Sequence, residues 1–157
     1  MNITLEKANA NDKDTVSRLF QLFAHDTSEL SGMDIGDDGL YHGLNDMDDY
    51  TSKENYRTYL IKADHMLAGV AVVRFDDDAN YLRHFFVLRK FRSKKIGFKS
   101  ASMIFDLFQG KWRVSTMDYN IPAIKFWDKV CNAYSNNEYC TMRRDDNKGP
   151  QYEFEIK

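Results

Sequence analysis

The sequence predicts a single mixed α/β (α+β) domain: a six- to seven-stranded, mostly antiparallel sheet flanked by three to four helices. Three observations predict it. Segments of period-2 and period-3.6 apolar spacing follow one another in the order β, α, β, β, β, α, β, α, β, β along the 157 residues. Most neighbouring strands are separated by short turns, which favours antiparallel pairs, while a strand–helix–strand unit over residues 80 to 117 calls for a parallel pair. A chain of this length with 43% hydrophobic residues buries one substantial core, so the domain is expected to span 1–157.

Ile3 and Leu5 alternate in a first strand, and the turn Asn9 to Asn11 leads to Asp12. Asp12 suits the N-cap of a helix whose apolar face is Val16, Leu19, Phe20 and Phe23. From Ser28 to Lys53 the periodicity dissolves into Gly and Asp around Tyr41 and Tyr50, a long loop of partly helical character. Tyr56 to Ala63 and Met66 to Phe75 read as strands joined by a tight turn at Asp64 and His65. A turn at Asp76 to Asp78 opens a strand over Asn80 to Leu88. A helix follows from Ile96 to Phe108, stopped by Gly110. Trp112 to Met117 reads as a strand, Ile121 to Val130 as a helix behind Asn120, and Glu138 to Arg143 and Tyr152 to Ile156 as the last two strands.

Composition narrows the function. No apolar run reaches the roughly 20 residues of a membrane span, and the first residues, MNITLEKANAND, lack the basic and apolar regions of a secretory signal, so a cytoplasmic protein with no membrane partner is expected. Cys131 and Cys140 form no CxxC pair and the four histidines have no ligand spacing, so neither disulfides nor a metal is indicated. Net charge is −2, but residues 1 to 80 carry 7 basic and 16 acidic side chains, and residues 81 to 157 carry 15 and 8. One half suits cations and the other anions.

The chemistry concentrates where FFVLRKFRSKKIG, Phe85 to Gly97, passes from an apolar strand into a helix. Arg89, Lys90, Arg92, Lys94, Lys95 and Lys99 stand there with no acidic residue among them. The first amides of a helix lack internal partners and sit at the positive end of its dipole, so this junction suits a phosphate. Gly97 allows close approach to the main chain.

Together with Asn120 to Trp127, this stretch resembles the GNAT family of N-acetyltransferases. The acetyl-CoA motif of that family, Arg or Gln, two residues, Gly, one residue, Gly or Ala, stands here as Arg92, Ser93, Lys94, Lys95, Ile96, Gly97, with Lys95 in the place of the first glycine. If that position needs a positive φ, the lysine is strained by about 1 kcal/mol. The resemblance implies acetyl-CoA as cofactor, held by Phe86 and Val87 of the strand, by Arg92 through Lys99 with Phe98 among them, and by Asn120, Ala123, Phe126 and Trp127. The family often has a tyrosine that protonates the departing thiolate where this chain has Trp127, and an indole N–H only donates.

The resemblance further implies direct acetyl transfer to a primary amine, in a small molecule or a peptide, with a strand amide near Val87 polarising the carbonyl. Candidate proton-transfer residues are Tyr81, His84 and Tyr134, with Tyr119 a further phenol nearby. Alternation puts Tyr81, Arg83 and Phe85 on one face and His84 on the other, unless a bulge turns His84 inward. The acidic loop (Asp34, Asp37, Asp38, Asp46, Asp48, Asp49), with Tyr41 and Tyr50, falls at the family's acceptor site and points to a cationic amine. Two other classes stay open: a non-catalytic acyl-CoA-binding domain, because Gly and Tyr are absent at positions 95 and 127, and a nucleic-acid module stacking bases on Phe91, Phe98 and Trp112, which the acidic first half opposes. A monomer or a homodimer, with a contact near residues 138 to 156, is compatible.

Overall fold

The computed structural model describes residues 1–44 and 47–157. Seven strands, β1 (Ile3–Lys7), β2 (Tyr56–Ala63), β3 (Met66–Phe75), β4 (Asn80–Val87), β5 (Gly110–Ser115), β6 (Cys140–Arg143) and β7 (Pro150–Ile156), form one sheet in the order β1-β2-β3-β4-β5-β7-β6. Every neighbouring pair is antiparallel except β4–β5, which is parallel. Helix α1 (Lys13–Ser31) lies on one face of the sheet, and α2 (Ile96–Phe105) and α3 (Ile121–Tyr134) on the other.

Side-chain alternation builds the two cores. Tyr56, Leu60, Val70, Val72 and Phe86 meet Val16, Leu19 and Phe20 of α1, while Ile61, Ala71, Val73, Leu82 and Val114 meet Ile96, Ile104, Trp127 and Val130 beneath α2 and α3. Asp64 and His65 join β2 to β3 with φ of 47° and 68°, the positive pair that a two-residue hairpin turn needs. Gly69 of β3 packs against β4 so closely that a Cβ there would overlap the Phe86 carbonyl.

Three details sharpen or change. Asp12 is the N-cap of α1, but its side chain caps no amide of that helix: its carboxylate accepts from the Asn9 amide (2.9 Å) while Asn9 accepts from Asn11 (2.8 Å), a reciprocal cap on the short 3₁₀ turn Ala10–Asp12. α1 continues past Ser28 to Ser31, ending at Gly32 with φ 73°. α2 stops at Phe105, not Phe108, because the Leu107 and Phe108 amides bond back three residues to Ile104 and Phe105, and the Trp112 indole takes the Phe108 carbonyl (2.9 Å).

Candidate active site

The site forms where two neighbouring strands part. β4 pairs with β5 through only three residues, Asn80 with Trp112, Tyr81 with Arg113 and Leu82 with Val114. Past Leu82 the two strands diverge into a fork. On its other edge β4 carries a bulge: Leu82 faces Val73 and His84 faces Val72, which leaves Arg83 as the extra residue. The bulge places Tyr81, His84 and Phe86 toward α1, and Leu82, Phe85 and Val87 toward α2 and α3. The Leu88 amide donates to Ala68 of β3 (2.8 Å), so by strand alternation Phe86 also turns its main chain to β3. The N–H groups of Phe85 and Val87 therefore face the fork. The Val87 carbonyl accepts from Arg92 Nε at 2.8 Å.

Beside the fork, the turn into α2 is a cradle of amides. Ser93 (φ 65°) and Lys95 (φ 60°, ψ 7°) are both left-handed, and the α2 ladder begins with the Lys99 amide on the Lys95 carbonyl (3.0 Å). The amides of Ile96, Gly97 and Phe98 precede that first bond and stand at the positive end of the helix. Alternating left- and right-handed residues make an anion-binding concavity of the same kind. Ser93, Lys94, Lys95, Phe98 and Lys99 are exposed. Arg92 and Arg89 (2.6 Å) both hold the Asp26 carboxylate of α1. Gly97 lies against α3, where a Cβ would come within 3.1 Å of the Phe126 ring.

On the α1 side of β4 is a cavity of about 130 Å³. Phe20 and Phe23 of α1, Leu44 and Met47 of the long loop, and Tyr50 form most of its wall, and Arg83 and His84 form its β4 side. Tyr50 and His84 Nε2 are hydrogen-bonded at 2.7 Å, and the Phe20 ring meets the imidazole edge-on at 4.9 Å. Burial, assisted by the neighbouring Arg83 guanidinium, pushes the His84 imidazole down to about 3, so it is neutral at physiological pH.

The profile of the acetyltransferase (GNAT) family matches residues 17–133, three-quarters of the chain and both halves of the fork. The chain belongs to the GNAT acetyltransferase family. Solved structures share its fold at low identity. An acetyltransferase of the GNAT family from Staphylococcus aureus is 19% identical with a TM-score of 0.66, covering 99% of this chain and 100% of its own. An acetyltransferase from Thermus thermophilus is 12% identical with a TM-score of 0.74, covering 99% and 98%. The PaiA N-acetyltransferase of Thermoplasma acidophilum, solved in complex with coenzyme A, is 15% identical with a TM-score of 0.64, covering 99% and 100%. No curated protein matches the chain in sequence. No helix among the described residues is long and apolar enough to cross a membrane.

In this GNAT acetyltransferase the remaining candidates divide by position. Asn120 caps α3, its side chain accepting from the Ala123 amide (3.2 Å). Phe126 stacks on Phe85 at 5.9 Å, and Trp127, 6% exposed, meets Phe85 edge-on, so the fork's α3 side is aromatic. Tyr81 bonds Ser115 at the last residue of β5, beside a cavity of about 520 Å³. Tyr134 lies at the opposite end of α3, donating to Asp106 (2.7 Å), with its hydroxyl pKa pushed up by burial and that carboxylate.

No carboxylate of the acidic loop among the described residues lines the 130 Å³ cavity. Asp48 pairs with Lys13 (2.7 Å), Asp49 with Lys53 (3.0 Å) and Asp38 with His42 (2.9 Å). Tyr41 is pinned to α1 by Gln21 and His25 and does not line the cavity, whereas Tyr50 does; Asp46 lies outside the described residues. Sequence reasoning missed Asp26, because only the fold brings α1 to the basic turn. It read Phe20 and Phe23 as core alone, since a cavity wall and a core face share one apolar spacing.

Proposed function

We propose that the chain transfers the acetyl group of acetyl-CoA to a primary amine by direct attack within a ternary complex. Acetyl-CoA, when bound, supplies the activated thioester. The observation that carries the reading is the left-handed turn at Ser93 and Lys95, which opens α2 beside the fork with the Ile96, Gly97 and Phe98 amides unbonded to the ladder. Those amides and the lysines of the turn hold the diphosphate, and the aromatic wall of Phe85 and Phe126 lies along the arm that enters the fork. Coenzyme A in the Thermoplasma relative supports the same ligand here.

The Phe85 and Val87 amides donate to the carbonyl oxygen as charge develops on it. His84 is not the base in this reading: an imidazole so weakly basic is a poor acceptor for a proton from an alkylammonium, which is lost to water instead. Tyr81, at the base of the fork, returns a proton to the thiolate in the role that Trp127 does not fill. Titration calorimetry with acetyl-CoA, followed by a thiol-release assay over a panel of amines, tests the reading. Stoichiometric binding that is lost in Gly97→Glu and kept in Trp127→Phe is expected, with Tyr81→Phe lowering kcat about 10- to 100-fold. Binding without thiol release from any amine supports the non-catalytic alternative, and equal losses of affinity in all variants overturn the placement of the diphosphate.

A further inference from the structure

The 130 Å³ cavity on the α1 side of β4 has a composition that selects among amines. Its wall is apolar and aromatic, from Phe20, Phe23, Leu44, Met47 and Tyr50, and among the described residues it contains no carboxylate. A polyamine or an aminoglycoside would bring several ammonium groups to a wall whose described residues offer no carboxylate to pair them. The volume is that of one side chain rather than of a folded peptide or a sugar.

Among the described residues the cavity's one cation is Arg83, the extra residue of the β4 bulge. Its Nε is shielded from water and meets no acceptor among the described residues. A buried donor without a partner is costly, and in a binding site the missing acceptor is a group of the ligand. The guanidinium offers the forked donors that a carboxylate accepts in pairs. Arg113 Nε is shielded in the same way, but it lies 3.5 Å from Glu153, and the three arginines around the larger cavity near Tyr81 each hold a carboxylate: Arg74 holds Asp76 (2.7 Å), Arg113 holds Asp78 (2.6 Å) and Arg144 holds Asp146 (2.8 Å). Those charges are already matched, and Arg83 is the arginine left for an anion.

We infer that the acceptor is a small amino-acid-like molecule, a primary amine carrying one apolar or aromatic group for the cavity and a carboxylate for Arg83. The inference rests on the acetyl-transfer reading above and replaces the cationic acceptor that the acidic loop pointed to. The bulge gives it a mechanical basis. By inserting Arg83 and turning His84 toward α1, β4 presents the carboxylate anchor and the cavity wall on consecutive residues, next to the Phe85 amide that faces the fork.

The test compares free hydrophobic and aromatic amino acids with their amides, with hydrophobic N-terminal peptides and with polyamines, in the thiol-release assay and by calorimetry on the protein saturated with coenzyme A. A preference for the free carboxylate over the amide of at least about tenfold in kcat/KM, or in affinity where turnover is slow, is expected. Arg83→Gln should abolish that preference by weakening only the carboxylate form, with Arg83→Lys restoring part of it, while acetyl-CoA affinity stays unchanged in both. Amides or polyamines bound or acetylated as well as free amino acids would overturn the inference and leave acetyl transfer standing. Absence of acetyl-CoA binding to the wild-type protein would instead remove the reading on which the inference rests.

Discussion

Lys95 stands where a residue without a side chain would be at ease. Its φ of 60° is the left-handed conformation that costs an L-residue about 1 kcal/mol, and under the proposed function the turn keeps it so that the next three amides open toward the diphosphate. Lys95→Gly is expected to stabilise the fold by about 0.5–1 kcal/mol in urea unfolding, since glycine reaches that region without a Cβ clash. No change, or a loss, would show the turn to be relaxed. The sequence announced a departure from the family pattern at this position but not the sign of φ, which the packing of Phe91 and Ile96 on either side of the turn decides. His84 makes a second residue-scale expectation. Its imidazole takes a proton near pH 6.5 in the unfolded chain and only near 3 in the fold. Its contribution to stability is therefore fully present above pH 6.5 and is lost as pH falls toward 3. Thermal unfolding between pH 7 and 4 should show a falling Tm, and His84→Gln should flatten that slope; parallel slopes would contradict the burial of a neutral ring.

Elements were legible wherever local chemistry alone determines them. The Asp64–His65 turn, the amphipathic face of α1, a helix behind Asn120 and a parallel unit over residues 80 to 117 follow from spacing and turn residues, and each is present. The end of α2 was not legible, because it depends on Trp112, a strand residue seven positions beyond Phe105, reaching back to a carbonyl. The bulge at Arg83 was conceivable but not derivable: alternation alone puts His84 on the wrong face, and only the register against β3 reverses it. That register depends on Gly69. A methyl group there meets the Phe86 main chain, which has no flexible end to swing away, so Gly69→Ala should destabilise the protein by about 2–3 kcal/mol. Calorimetry should read a Tm lower by about 5–10 °C. An unchanged Tm would mean that β3 and β4 separate freely and that the bulge is not held in place by their contact.

Across the whole molecule, the uneven charge resolves into a contact and a field. Asp26 of the acidic first half pairs with both Arg89 and Arg92 and offsets one of their two charges, whereas Lys94, Lys95 and Lys99 stay exposed around the opening of α2. Affinity for acetyl-CoA should accordingly fall as salt rises, by about tenfold between low and high ionic strength, and a double Lys94→Gln, Lys95→Gln variant should lose most of that dependence. Salt-independent binding would move the anion away from this turn. At this scale Asp48, Asp49 and Asp38 of the acidic loop find Lys13, Lys53 and His42 within their own half, and no carboxylate among the described residues lines the cavity on the α1 side of β4. A crystal structure with coenzyme A would decide most directly: diphosphate oxygens are expected about 2.7–3.2 Å from the amides of Ile96, Gly97 and Phe98, with the thiol end between β4 and β5. A diphosphate held elsewhere, with those three amides facing only solvent, would contradict the assignment.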